Sequence, residues 1–198
     1  MENKFTYLIV ILVLLLIFFS NNSFSQQLTT PVNIHLPIML KSIEYDRNIV
    51  NRDNDVVRIG IIYQENYRVS LNTKNQVLIY ITDNNLQKLV KFSLEFITIN
   101  LNELSTLREF LQNQNLDYAY ITPLRAININ KLAQILRDKK ILALTGVVDY
   151  INYKIPFTVD VVGDNPKIII DLNNSRLSGA DFSTNILKLA KIIDSNGN

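Results

Sequence analysis

The chain predicts an α/β fold: a mostly parallel sheet with helices on both faces, completed by a C-terminal β-hairpin and helix in a single compact domain. Three observations predict it. Short β-branched runs such as Val56–Tyr63 show the near-continuous apolar character of strands covered on both faces. Stretches with apolar residues at helical spacing separate these runs, so strand and helix alternate three times. Towards the C-terminus the pattern changes to period-two alternation around Gly163-Asp164-Asn165-Pro166, as in a hairpin.

The elements follow in order. Residues 8–19 form an unbroken apolar run after Met1-Glu2-Asn3-Lys4, followed by polar residues and a small-residue site at Ser23-Phe24-Ser25. The run is short of the roughly 20 residues that span a bilayer and suits the core of a secretory signal peptide. The expectation is a signal peptide over residues 1–25 and one domain over residues 26–198, exported and periplasmic or otherwise extracytoplasmic. An uncleaved N-terminal anchor is the competing reading. Without cysteine there is neither a lipobox residue nor a disulfide.

Pro37 suits the first turn of a helix running to about Asn48, where its missing N–H costs nothing. A polar turn over residues 51–55 leads into a first strand, Val56–Tyr63. The stretch from Val69 to about Leu89 reads as a helix, and residues 95–100 alternate as a second strand. Asn102 can cap a helix carrying Leu104, Leu107, Phe110 and Leu111. Residues 117–122 read as a third strand ending at Pro123, and a helix with Ile127, Leu132, Ile135 and Leu136 leads to a fourth over 141–145. After the hairpin, a polar run over 173–183 reads as a loop, then a helix buries Ile186, Leu187, Leu189, Ala190 and Ile193.

The inventory narrows the chemistry. The formal net charge is +2, without the clustered basic face that a nucleic-acid partner requires. The only histidine, His35, lies near the expected mature N-terminus in a segment expected to be mobile, with no second His or Cys to share a metal. Glycines at 60, 146, 163, 179 and 197 form neither a P-loop nor a dinucleotide fingerprint, and no cofactor is implied. Asp53 with Asp55, or Asp160 with Asp164 and Asp171, are the carboxylate pairs a hydrolase could use. Turn positions for Asp53, Asp55 and Asp164, and solvent-facing strand positions for Asp160 and Asp171, explain them without catalysis. Tyr118, Tyr120, Tyr150 and Tyr153 could form a ligand-binding aromatic patch, although Tyr118 and Tyr120 share one strand face and so suit the core.

In a parallel α/β sheet, ligands approach the carboxyl ends of the strands. Those ends carry Tyr63, Gln64 and Arg68 after the first strand, Thr122 and Arg125 after the third, and Thr145 after the fourth. They are the candidate ligand-binding residues. Arg176, Asp181 and Ser183 in the C-terminal polar run are the candidate partner-binding residues. An ordinary connection capping the last helix through Asp181 or Ser183 is the alternative.

Residues 40–48 (LKSIEYDRN), 59–63 (IGIIY), 167–173 (KIIIDLN) and 179–190 (GADFSTNILKLA) together resemble the YfiR/HmsC family. The resemblance spans nearly the whole expected mature chain and is strongest at the C-terminal end. It implies an exported, non-catalytic α/β regulator, often dimeric. Such a protein binds the extracytoplasmic domain of a membrane-anchored diguanylate cyclase and restrains cyclic-di-GMP synthesis and biofilm formation. The chain departs from better-known members in lacking cysteine and in carrying Tyr150-Ile151-Asn152-Tyr153-Lys154 where they have a glycine-rich turn. The leading expectation is therefore a regulator acting by protein contact. A small periplasmic solute-binding module is the second, and a carboxylate hydrolase the third.

Overall fold

The computed structural model describes residues 28–50, 56–86, 91–163 and 165–194. The expected signal peptide, the turn at Asp53 and Asp55, Leu89 and Asp164 lie outside the described residues. In chain order the elements are α1 (Val32–Ser42), a 3₁₀ turn (Ile43–Tyr45), α2 (Arg47–Val50), β1 (Val56–Tyr63), α3 (Arg68–Asp83), β2 (Ser93–Asn100), α4 (Leu104–Asn113) and β3 (Tyr118–Ile121). They continue with α5 (Ile129–Asp138), β4 (Leu142–Thr145), a 3₁₀ segment (Val148–Tyr153), β5 (Phe157–Val162), β6 (Asn165–Asp171), α6 (Leu172–Leu177), α7 (Thr184–Leu189) and β7 (Lys191–Ile193).

All seven strands join one sheet in the order β2-β1-β3-β4-β5-β6-β7. Every neighbouring pair is parallel except β5–β6, the expected hairpin. Because successive strand residues point to opposite faces, the sheet carries two cores. On one face Val57, Ile59, Ile61, Tyr118, Tyr120, Leu142, Leu144 and Phe157 pack against α1, α3 and α7. On the other, Ile62, Ala119, Ile121 and Ala143 pack against α4 and α5. The expected α/β class, with a mostly parallel sheet and helices on both faces, is the observed one.

Three local expectations change. The first helix begins at Val32, with Pro31 as its N-cap and Pro37 inside it. The buried stripe of Val32, Leu36, Met39 and Leu40 holds that turn, so packing outweighs the backbone hydrogen bond that Pro37 cannot make. The polar run after β6 is not an open loop, because Asp171 caps α6 by accepting from the Asn174 backbone N–H at 2.9 Å. The last helix is only six residues long, and Ile193 lies instead on β7, which adds parallel to β6. A β-branched Ile192-Ile193 pair next to an open sheet edge gains more from the ladder than from another helical turn.

Candidate functional site

β2 and β3 flank β1 on opposite sides, so the strand order reverses between β1 and β3. Such a reversal leaves a crevice beyond the carboxyl ends of the two strands. Gln64 and Arg125 meet there. The Gln64 Nε2 donates to the Arg125 carbonyl at 3.1 Å, and the Arg125 backbone N–H donates to Gln64 Oε1 at 2.6 Å. One side-chain amide thus bridges the two strand ends as a short piece of backbone would.

Below this bridge runs a chain of hydroxyls. The Gln64 N–H donates to Ser70 Oγ at 2.8 Å, Ser70 and Thr122 hydroxyls lie 2.6 Å apart, and Thr122 Oγ1 donates to the Ile62 carbonyl at 3.0 Å. The structure therefore brings Gln64, Thr122 and Arg125 together and adds Ser70. Arg68 stands exposed as the first residue of α3, with no acidic residue in that first turn. Tyr63 lies under the Lys74 ammonium, 5.0 Å from its ring centre, and takes no part in the bridge. Thr145 is fully buried and spends its hydroxyl on the Ile121 carbonyl at 2.9 Å while accepting from the Val147 N–H at 3.1 Å. It secures β4 to β3 and is not available to a ligand.

Tyr150 also supports this loop by accepting from the Leu124 N–H at 2.8 Å. Burial raises its phenol pKa, so it remains protonated. Tyr118, Tyr120 and Tyr150 are buried and Tyr153 is exposed, so the four tyrosines form no common aromatic patch. Ser70 could not be singled out from the sequence, because it belongs to no motif and reaches the site only through the fold; Tyr150, read there as part of an aromatic patch, instead supports the loop through Leu124.

His35 is fully buried and anchors the N-terminal segment, against the expectation of a mobile residue. Its Nδ1 lies 2.9 Å from the Thr30 carbonyl, which can only accept, so Nδ1 carries the proton. Nε2 then accepts from the Tyr120 hydroxyl at 2.8 Å. Burial lowers the imidazole pKa to about 4. Gly146 makes room for it, since a Cβ there would lie 2.6 Å from His35 Cε1 and 2.7 Å from Leu28 Cδ1. This histidine closes the core and faces no crevice.

The C-terminal candidates divide. Asp181 receives a bidentate contact from Arg47, at 2.8 Å from Nε and 2.6 Å from NH2, which holds its carboxyl below the usual range. Its backbone N–H donates to Asp46 Oδ1 at 2.9 Å. Asp46 is buried and also accepts from the Tyr118 hydroxyl at 2.9 Å and the Asn48 N–H at 3.1 Å; burial raises its pKa against these contacts. Asn48 Nδ2 donates to the Gly179 carbonyl at 2.8 Å, and the Ser183 N–H to the Tyr45 carbonyl at 2.8 Å. Together these contacts clasp residues 45–48 to residues 179–183. Ser183 is the N-cap residue of α7, but its side chain makes no cap bond, and Asp181 is engaged in the clasp instead. Arg176 stands exposed in the last turn of α6.

The carboxylate candidates separate as well. Asp171 is fully buried at the end of β6, where solvent exposure was expected, because it is the α6 cap; its Oδ2 accepts from Asn174 Nδ2 at 2.7 Å. Asp160 lies on the adjacent hairpin strand, opposite Lys167 and three registers from the Phe157 that pairs with Ile170.

No family model matches the chain, and no curated protein matches it. Solved structures match it in fold. The ABC domain in complex with L-Trp from Streptococcus pneumonia has a TM-score of 0.52 at 12% identity, over 77% of this chain and 62% of that one. A conserved domain protein from Vibrio cholerae has a TM-score of 0.55 at 8% identity, over 79% of this chain and 59% of that one. The chain thus spans about three-fifths of the length of each of these proteins. No helix among the described residues is long and apolar enough to cross a membrane.

Proposed function

We propose that this chain is a non-catalytic binding module that seats a small solute at the carboxyl ends of β1 and β3. The observation that carries this reading is the convergence of Gln64, Ser70, Thr122 and Arg125 where the strand order reverses. The Gln64–Arg125 bridge is a two-point contact on exposed groups, so a solute that offers the Arg125 carbonyl a donor and the Arg125 N–H an acceptor, as an amide or the ammonium and carboxylate of an amino acid do, can take the place of the Gln64 side chain. Arg68, at the start of α3, and Arg125 bring two exposed cationic side chains to the segments that carry it. The fold likeness to a protein described in complex with L-Trp makes amino acids the first class to try.

The test is a thermal-shift screen of the purified protein against the L-amino acids. A ligand that binds only the native state stabilises it by about 2.7 kcal/mol at one hundred times its Kd, which gives a clear rise in Tm. The rise should saturate and should disappear in Arg68→Glu/Arg125→Glu. A folded protein that shifts with no member of the panel would reject amino acids as the solute class.

A second reading is an exported regulator of the YfiR/HmsC kind that binds a membrane-anchored diguanylate cyclase, alone or as a homodimer. One observation favours it: two segments that carry the resemblance, residues 40–48 and 179–190, meet in the Asp46–Asp181 clasp. In-cell crosslinking of the tagged protein should then recover a transmembrane cyclase, and Arg176→Glu should lower that yield. Unchanged recovery with Arg176→Glu would move the contact away from α6.

A further inference from the structure

A groove of about 420 Å³ runs between α1, the following 3₁₀ turn, β6 and α7, and shares no residue with the crevice at β1 and β3. Its apolar walls are Pro37, Ile38, Tyr45, Ile168, Ile186 and Leu189. Leu189 is 71% exposed and Ile192, in register with Ile170 on the same sheet face as Ile168, is 39% exposed. Apolar side chains held in the open around a concavity of this size mark a binding surface, because small-molecule sites occupy roughly 300–1,000 Å³ and are mostly apolar. Water covers this surface only at a cost.

The polar groups of the groove say what fits. Ser42 spends its hydroxyl on the Ile38 carbonyl at 2.7 Å. Lys41 gives one N–H to Glu44 Oε2 at 2.7 Å, and its side chain remains 49% exposed. Glu44 also accepts from the Lys91 backbone N–H at 2.9 Å, so its charge is shared between two donors. An ammonium has three N–H groups, and the lysine therefore keeps positive charge and donors for a ligand at the α1 side of the groove. Among the described residues no carboxylate lines the walls.

We propose that this groove binds an amphipathic monocarboxylate, with its hydrocarbon tail between Ile38, Ile168 and Leu189 and its carboxylate on Lys41. The occupant is a small molecule of fatty-acid type. The charge complementarity at Lys41 selects it over an uncharged or cationic amphiphile.

The experiment is calorimetric titration of the purified protein with dodecanoate below its micelle concentration, with dodecyltrimethylammonium as the opposite-charge control. One saturable site is expected, binding the cationic control at least tenfold more weakly. Ile38→Trp, which fills the groove, should abolish binding. Lys41→Gln should weaken it about tenfold, the loss of one charge-assisted contact. Both variants should remain folded, as a cooperative thermal transition shows, since Lys41 is exposed and Ile38 is only partly buried. If a variant does not fold, Leu189→Asp on the exposed wall replaces it. Absence of a saturable site, equal affinity for the cationic control, or dodecanoate binding unchanged in Ile38→Trp would each overturn the proposal. Amino-acid binding at β1 and β3 is read separately by the Arg68 and Arg125 variants.

Discussion

The two faces of the sheet solve different problems with the same strands. On the α4–α5 face, Gly60, Ala119 and Ala143 stand side by side across β1, β3 and β4, so the helices settle onto a shallow stripe of small residues. A Cβ at Gly60 would already lie 2.7 Å from Leu116 Cδ1 and 2.9 Å from Ile99 Cδ1. Buried polar groups there take partners close in the chain, Thr145 on the Ile121 carbonyl 24 residues away and Tyr150 on the Leu124 N–H 26 residues away, and α4 and α5 come from chain next to the strands they cover. On the α1–α3 face, Tyr118 and Tyr120 rise from β3 with hydroxyls that need partners. Those partners, Asp46 and His35, come from the N-terminal segment. One face is assembled by shape and nearness in sequence, the other by long-range polar contacts that fix which segments dock.

This contrast is open to direct attack. The largest effect is expected from Leu136→Ala on the α4–α5 face, where a fully buried leucine gives way to a cavity. It should cost about 4 kcal/mol by urea denaturation, and a loss below about 1 kcal/mol would mean that α5 is not close-packed.

Acid should next distinguish the faces. The folded His35 pKa of about 4 lies below its ordinary value of 6.5, so the unfolded chain binds more protons between these limits. Stability from this group is complete above 6.5 and is lost as pH falls towards 4, by up to about 3 kcal/mol. Asp46 works in the opposite sense: its raised pKa makes the native state hold a proton more readily, which favours folding as pH falls towards 3.8. The pH slope between 6.5 and 4 should therefore become less steep in His35→Gln. An unchanged slope would place the acid sensitivity elsewhere.

Asp46→Ala should cost about 2 kcal/mol, because it leaves the Tyr118 hydroxyl and two backbone N–H groups without their acceptor. Tyr118→Phe in that background should recover part of the loss by removing the hydroxyl that Asp46 accepted from, and additive losses would deny the coupling. The smallest effect is expected from Asp181→Asn, which weakens an exposed ion pair with Arg47 while leaving the backbone contacts of the clasp in place. A large fall in Tm there would make the ion pair, and not Asp46, the centre of the clasp.

The sequence by itself determined the class of fold and most of its elements. The β-branched run at Val56–Tyr63 could bury both faces only inside a parallel sheet, and the period-two alternation on either side of Gly163 could only be a hairpin. Those signals are local, and local periodicity survives in one dimension. It also located the strand ends, so Gln64, Thr122 and Arg125 were legible as candidates before their contacts were known. Tertiary structure decided which candidates meet. Thr145 occupies a strand end like Thr122 but is consumed in joining β4 to β3. Asp171 lies in the polar phase of its strand, yet is sealed inside as a helix cap. His35 and Asp46 carry no signal in the sequence, because their partners lie 85 and 72 residues away on β3. A buried polar side chain is specified by the group that satisfies it, and when that group is distant in the chain only the folded molecule brings the two together.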